Sequence, residues 1–168
     1  MIYKNLVLIG MPSSGKTTLG ISIASDLKIR FVDIDRYIEE KERKTITEIF
    51  KGGEEYFREI ESFYVSSLKN LTHAVISTGG GVVLRENNMI NLKKNGIVIF
   101  IDRPLDKIIE NMDNESRPLL KDGIDKIYDL YNDRIDLYKK YSDFEIKNNN
   151  TIYKAKYEII EAYNNFKY

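Results

Sequence analysis

Short apolar runs alternate with longer amphipathic stretches along the chain, and this alternation predicts a parallel β-sheet covered by helices. Apolar runs of strand length lie at residues 5–9, 30–33, 74–77, 97–101 and 144–146. Apolar residues at helical spacing fill the intervals, at residues 16–27, 35–41 with 47–50, 54–70, 86–94, 105–111, 124–141 and 154–166. We therefore expect an α/β fold with a five-stranded parallel sheet and helices on both faces.

Two segments break this pattern because they are too polar to enter a core. Residues 113–123 begin with Asp-Asn-Glu-Ser and end at Gly123, which is suited to act as a hinge before the next helix. Residues 147–151 include three consecutive asparagines, and we interpret them as a solvated loop. No repeat or low-complexity domain interrupts the chain, so residues 1–168 fit a single domain.

The first apolar run leads directly into the sequence GMPSSGKT at residues 10–17. This spacing is typical of a phosphate-binding P-loop, and the strand before it and the helix after it disfavour a purely structural glycine turn. In such a loop the lysine, here Lys16, contacts the β- and γ-phosphates, and the Thr17 hydroxyl binds Mg²⁺. We expect ATP and Mg²⁺ as cofactors, with the nucleotide contacting Ser13, Ser14, Gly15, Lys16, Thr17 and Thr18.

The composition narrows the range of partners. Twenty-six basic residues balance twenty-six acidic ones, so no global positive field favours nucleic acid or an anionic membrane. The lack of cysteine and the single histidine exclude disulfides, thiolate metal sites and multi-histidine metal clusters. No apolar run approaches the ~20 residues of a membrane span, and the first ten residues do not resemble a signal peptide. We expect a cytoplasmic monomer that acts on a small molecule.

Two carboxylates follow the second predicted strand. Asp33 and Asp35 lie in the sequence FVDID at residues 31–35, and residues i and i+2 of a strand face the same side. The carboxyl end of such a strand is where ligands bind in open α/β sheets. One carboxylate can then hold a Mg²⁺-bound water while the other accepts a hydrogen bond or a proton from an attacking hydroxyl. The alternative is that Asp35 only caps the following helix.

Three consecutive glycines, Gly79, Gly80 and Gly81, follow the third predicted strand. Such a run costs conformational entropy, so it indicates either that a group approaches the backbone closely or that a turn requires positive φ. A substrate lying on the N–H groups would account for it. A tight loop without ligand contact is the alternative.

Three arginines complete the candidate chemistry. Arg58 follows Phe57 in a predicted helix, Arg117 lies in the sequence SRPLL at residues 116–120, and Arg134 lies in the predicted helix 124–141. A single arginine is usually solvated, so these three indicate a binding site only when they are taken together.

Taken in order along the chain, the P-loop, F-x-D-x-D, Phe-Arg, the triple glycine, R-P-L-L and the late arginine resemble the shikimate kinase family. The resemblance extends from the P-loop to about residue 141. It implies a P-loop kinase fold with a mobile lid at about residues 113–123. It also implies that ATP phosphorylates the 3-hydroxyl of shikimate, a step of aromatic amino-acid (chorismate) biosynthesis.

The resemblance also implies roles for individual residues. Asp35 would hold the shikimate hydroxyls and Asp33 would lie near the metal. A carboxylate clamp would form from Arg58 and Arg134, and Gly80 would supply a backbone contact. Arg117 would ride on the lid and reach the ATP phosphates. The implied catalytic residues are Lys16, Asp35 and Arg117, and the implied metal ligands are Thr17 and Asp33.

The chemistry of shikimate agrees with these roles, because one carboxylate and several hydroxyls match two guanidinium groups and two carboxylate acceptors. Two rival functions remain. Another small-metabolite P-loop kinase, of gluconate or nucleotide type, would share the phosphate site, but Arg58 and the triple glycine argue against it. The second rival is a catalytically silent regulatory domain that binds nucleotide, and the intact Lys16 and Thr17 argue against it.

Two positions depart from the family. Ser13 stands where members often carry glycine, and Glu110 stands where many carry a basic residue against the adenine. We therefore name no residue as a contact of the adenine.

Overall fold

The computed structural model describes residues 4–110, 124–149 and 151–166, and within them five parallel strands form one sheet. The strands are β1 (Asn5–Ile9), β2 (Arg30–Asp33), β3 (Ala74–Ser77), β4 (Gly96–Asp102) and β5 (Phe144–Lys147). Their order across the sheet is β2-β3-β1-β4-β5. The five predicted strands are confirmed, with β4 and β5 slightly longer than expected.

The predicted helices are confirmed within a few residues at their ends. They are α1 (Lys16–Leu27), α2 (Ile34–Glu42), α3 (Ile46–Phe50), α4 (Glu54–Ser67), α5 (Glu86–Lys94), α6 (Leu105–Glu110), α7 (Asp125–Tyr141) and α8 (Ile152–Asn165). The chain also forms a short 3₁₀ turn at Val82–Leu84 that the sequence pattern did not predict. The predicted lid, residues 113–123 with Arg117, lies outside the described residues. In the part of the chain that the structure describes, no helix is long and apolar enough to cross a membrane.

The central strand β1 shows why helices cover both faces of the sheet. All five of its residues are buried, and successive side chains point to opposite faces. Leu6 and Leu8 belong to a core that α1 and α8 cover. Val7 and Ile9 belong to a second core, formed with α2, α4, α5 and α7. Continuous apolar runs are therefore needed in β1 and β4, because both faces of these strands are buried.

The start of α2 differs from the expectation for the two aspartates. Asp33 ends β2 in extended conformation and caps α2, because its carboxylate accepts a hydrogen bond from the Arg36 N–H at 3.2 Å. Asp35 lies in the first turn of α2. The alternative that Asp35 caps the helix and the prediction that both residues share one strand face are therefore wrong. The two carboxylates come together through the turn from strand to helix.

The strand order places the functional residues at one edge of the sheet. β1 lies between β3 and β4, so the chain leaves β1 at the point where successive strands are added on opposite sides. Parallel sheets of this kind bind ligands in the crevice at the carboxyl ends of the strands beside that point. The P-loop follows β1, Asp33 ends β2 and the three glycines follow β3, so all of them lie at this edge.

Candidate active site

The P-loop turns sharply between β1 and α1. Gly10 and Gly15 adopt positive φ, 145° and 97°, which side chains rarely tolerate. A Cβ on Gly10 would also lie 2.7 Å from the Ile101 carbonyl oxygen, so glycine is required there for space as well. Ser13 adopts φ 61° despite its side chain. Because α1 begins at Lys16, the loop and the first N–H groups of the helix form an anion-binding turn.

Lys16 is almost completely buried within this loop. Its ammonium group donates hydrogen bonds to the carbonyl oxygens of Gly10 at 3.0 Å and Met11 at 2.7 Å. The Ser14 hydroxyl lies 3.4 Å from the same ammonium and also accepts from it. The loop thus holds a positive charge against its own backbone, where water screens it less than at the surface.

Three side chains that carry oxygen atoms, those of Thr17, Asp33 and Ser77, lie close together next to Lys16. The Thr17 hydroxyl donates to the Asp33 carboxylate at 2.8 Å and lies 3.3 Å from the hydroxyl of buried Ser77. Hydroxyl and carboxylate oxygens are the ligands that Mg²⁺ prefers, so these residues fit the ion that the P-loop implies. Among the described residues, no three His, Cys, Asp or Glu side chains are grouped to hold a metal. An ion here would therefore draw its other ligands from phosphate and water.

The surroundings of Asp35 disfavour the ionised form of its carboxyl group. Its Oδ1 atom is buried and has no hydrogen-bond partner among the described residues. Burial raises the pKa of Asp35 from 3.8 to about 6, the Asp33 charge adds to the rise, and Lys16 and Arg58 oppose it. A carboxylate with a pKa near 6 is a better general base than an ordinary aspartate and is still ionised at neutral pH.

Arg58 faces the same region from α4. Its guanidinium group is buried and pairs with Glu61 at 2.7 Å and with Glu54 at 3.2 Å. Glu61 is completely buried, and burial raises its pKa while the Arg58 charge lowers it. Sequence analysis missed Glu61, although an Arg-Glu pair at i, i+3 on a helix is a recognisable signal.

The three glycines allow protein side chains to approach the backbone. A Cβ on Gly79 would lie 2.9 Å from Asp35 Oδ1 and 3.1 Å from Glu61 Oε1, and a Cβ on Gly81 would overlap the Arg58 guanidinium. None of the three glycines adopts positive φ. Close approach, here by the protein's own side chains, therefore accounts for this run, and positive φ does not. Contact of a substrate with these glycines stays a prediction.

Arg134 and Tyr138 reach the glycine segment from α7. Both side chains are buried, and they lie one helical turn apart. The Tyr138 hydroxyl donates to the Gly80 carbonyl oxygen at 2.6 Å, and burial raises its pKa while the Arg134 charge opposes the rise. Sequence analysis predicted Arg134 for this site and missed Tyr138, because a tyrosine at helical spacing also fits an ordinary core position.

A cleft of about 920 Å³ contains these groups together. Of the predicted site residues that the structure describes, those lining it are Ser13, Gly15, Lys16, Thr17, Thr18, Asp33, Asp35, Arg58, Gly80 and Arg134. Ser14 is the exception, since its side chain is buried beneath the loop. Arg103 and Lys126 also line the cleft and had not been predicted.

The loop after β5 corrects a further expectation. Residues 147–151 were expected to be solvated, but Asn148 is buried and its amide donates to the Ser14 carbonyl oxygen at 2.9 Å. Its own N–H donates to the Asp102 carbonyl oxygen at 2.7 Å. A polar side chain can be buried when main-chain groups satisfy it, so composition alone did not reveal this contact.

The fold, the P-loop and the polar cleft beside it define a P-loop phosphotransferase that acts on a small molecule. Comparisons with known proteins identify the family. The family model described as shikimate kinase matches residues 12–164. The chain therefore belongs to the shikimate kinase family.

Individual relatives agree with this assignment. The chain is 50% identical to a shikimate kinase of Clostridium botulinum (strain Eklund 17B / Type B) over 147 residues, 88% of this chain and 89% of the relative. It is 46% identical to a shikimate kinase of Clostridium beijerinckii over 157 residues, 94% of this chain and 93% of the relative. The solved structure of shikimate kinase from Acinetobacter baumannii in complex with shikimate superposes with a TM-score of 0.91 at 31% identity, covering 98% of this chain and 96% of that one.

Proposed function

We propose that this protein transfers the γ-phosphoryl group of ATP to the 3-hydroxyl of shikimate, which yields shikimate 3-phosphate and ADP. The observation that carries the proposal is the presence of two buried arginines, Arg58 and Arg134, in the same cleft as the P-loop and Asp35. The shikimate bound to the Acinetobacter baumannii relative supports the choice of acceptor. The proposed setting is a cytoplasmic monomer.

The P-loop half of the cleft binds the nucleotide in this proposal. Main-chain N–H groups of residues 13–18 surround the phosphates, and Lys16 exchanges its loop carbonyls for phosphate oxygens. Thr17 and Asp33 hold Mg²⁺, which neutralises charge on the phosphates. The role of Arg117 rests on the family resemblance, because this residue lies outside the described part of the chain.

The other half binds the acceptor. Arg58 and Arg134 pair with the shikimate carboxylate through charge-assisted hydrogen bonds, and the Gly80 backbone contacts the ring substituents. Asp35 accepts a hydrogen bond from the attacking hydroxyl and takes up its proton as the phosphoryl group arrives. Catalysis is then mainly positioning and charge stabilisation, as is usual for phosphoryl transfer.

A coupled assay of ADP release with a panel of acceptors tests this function. We expect turnover with shikimate and none above background with gluconate or nucleoside monophosphates. ADP release with one of those acceptors, or with none of the panel, would refute the proposal. The same assay decides between shikimate kinase and the other small-metabolite kinases.

Calorimetry tests the carboxylate clamp separately. Arg58→Ala and Arg134→Ala should each weaken shikimate binding more than tenfold, because losing a buried charged hydrogen bond costs about 2–5 kcal/mol. ATP affinity should hardly change. Arg36→Ala is the matched control, since Arg36 is 80% exposed and pairs only with surface Glu40 among the described residues. Equal losses of both ligands would contradict a clamp for the acceptor.

A further inference from the structure

Tyr138 occupies an unusual position among the buried aromatic residues. Its side chain is completely buried, and its ring stacks on Phe100 of β4 with centroids 5.1 Å apart and planes 19° apart. Its hydroxyl lies 3.9 Å from the sulfur of Met11 in the P-loop. One side chain of α7 therefore contacts the central sheet, the P-loop and the glycine segment.

The hydroxyl of Tyr138 is bound to the glycine segment. A tyrosine hydroxyl has one hydrogen to donate. Tyr138 donates it to the Gly80 carbonyl oxygen at 2.6 Å. Burial raises the pKa of Tyr138 to about 12, against the opposing charge of Arg134, so the donating hydrogen is retained at any physiological pH.

The contact with Gly80 also controls a neighbouring donor. The Gly80 carbonyl and the Gly81 N–H belong to one planar peptide and point in opposite directions. A carbonyl tied to Tyr138 therefore fixes the direction of the Gly81 N–H, and Gly81 lines the cleft. Glycine has the widest backbone freedom of any residue, so three consecutive glycines gain most from such an anchor.

We propose that Tyr138 is a positioning residue for the acceptor, because its hydroxyl fixes the Gly80–Gly81 peptide. The inference rests on the proposed function, since it assigns this peptide to the binding of shikimate. Tyr138 does not touch the substrate and acts through the peptide.

Tyr138→Phe tests the proposal because the ring keeps its packing on Phe100 and only the hydroxyl is lost. We expect the KM for shikimate to rise about fivefold, as for one lost hydrogen bond, with the KM for ATP unchanged. Tyr64→Phe is the matched control. The Tyr64 hydroxyl donates to Glu42 at 2.7 Å, and neither residue lines the cleft, so both KM values should remain at the wild-type level.

Melting temperatures and calorimetric titration of shikimate without nucleotide accompany the kinetics. A Tyr138→Phe variant with an unchanged shikimate KM would overturn the inference. So would a parallel rise of both KM values together with a large fall in melting temperature, because that pattern marks a purely structural role. If wild-type protein itself fails to phosphorylate shikimate, the proposed function fails, and the inference fails with it.

Discussion

Asp35→Asn should stabilise the protein while it abolishes turnover. In the native state the Asp35 carboxylate is partly buried, and Asp33 adds like charge. The Oδ1 atom of Asp35 finds no hydrogen-bond partner in the part of the chain that the structure describes. The native protein therefore disfavours the ionised form of a residue that the proposed reaction needs ionised. Asparagine keeps the shape and removes the charge, so the cost of ionisation disappears.

The size of the effect follows from the pKa of Asp35, which rises from 3.8 to about 6 on folding. A group with a raised native pKa supports stability below its unfolded pKa and loses that contribution as the pH rises through the native pKa. The full difference is about 3 kcal/mol, since one pKa unit corresponds to about 1.36 kcal/mol. Asp35→Asn should thus gain about 1.5 kcal/mol at pH 5 and about 3 kcal/mol at pH 8.

Urea denaturation of wild type and variant at pH 5 and pH 8, without ligands, measures this difference. Asp26→Asn is the control for the same chemical change. Asp26 is about half exposed and pairs with Lys156 on the outside of the sheet, so its loss should change stability by less than about 1 kcal/mol. A stability gain of Asp35→Asn that does not grow between pH 5 and pH 8, or a loss, would refute the reasoning. The turnover rate of the wild type should decrease as the pH is lowered through about 6, because Asp35 becomes protonated.

Three further variants test contacts in and below the cleft. Gly81→Ala places a methyl group against the Arg58 guanidinium, so the KM for shikimate should rise at least tenfold with little change in the KM for ATP. Asn148→Ala removes the amide that donates to the Ser14 carbonyl, and calorimetry should show ATP binding weakened about fivefold with shikimate binding unchanged. Glu61→Gln removes the charge that orients Arg58 from 2.7 Å, and shikimate binding measured by calorimetry should weaken about fivefold or more. Equal losses of both ligands in any of these variants would contradict the assignment of its contact to one half of the cleft.

The strands were predictable because they are nearly continuous apolar runs between amphipathic stretches. β1 and β4 are buried on both faces, and such strands stand out in a sequence. The P-loop was predictable for a related reason, since its glycines, Lys16 and Thr17 are constrained within eight consecutive residues. Local geometry determines both features, so local sequence reveals them.

Contacts between distant segments were not predictable in the same way. Asn148 contacts Ser14 across 134 residues, and Tyr138 contacts Gly80 across 58. An asparagine in a polar loop and a tyrosine in an amphipathic helix each have an ordinary local explanation. Only the tertiary arrangement, with β5 next to β4 in the sheet and α7 packed against β4 and the 3₁₀ turn at Val82–Leu84, gives these two side chains their partners.

The turn from β2 to α2 shows a third case. The sequence FVDID fits a strand with two carboxylates on one face, but the chain already turns into α2 at Ile34. Asp33 could end the strand there because its side chain satisfies the Arg36 N–H. The capping signal was present at Asp33, one residue before the helix, and was assigned to Asp35.

The central claim is that the γ-phosphoryl group of ATP reaches the 3-hydroxyl of shikimate. NMR of the product formed from ATP, Mg²⁺ and shikimate tests it most directly, because phosphorus–proton coupling identifies the carbon that bears the phosphate. We predict a single product phosphorylated at the 3-hydroxyl, and no product with a folded Lys16→Ala variant. Phosphate on another hydroxyl, no phosphorylated shikimate, or equal product from the Lys16→Ala variant would contradict the account.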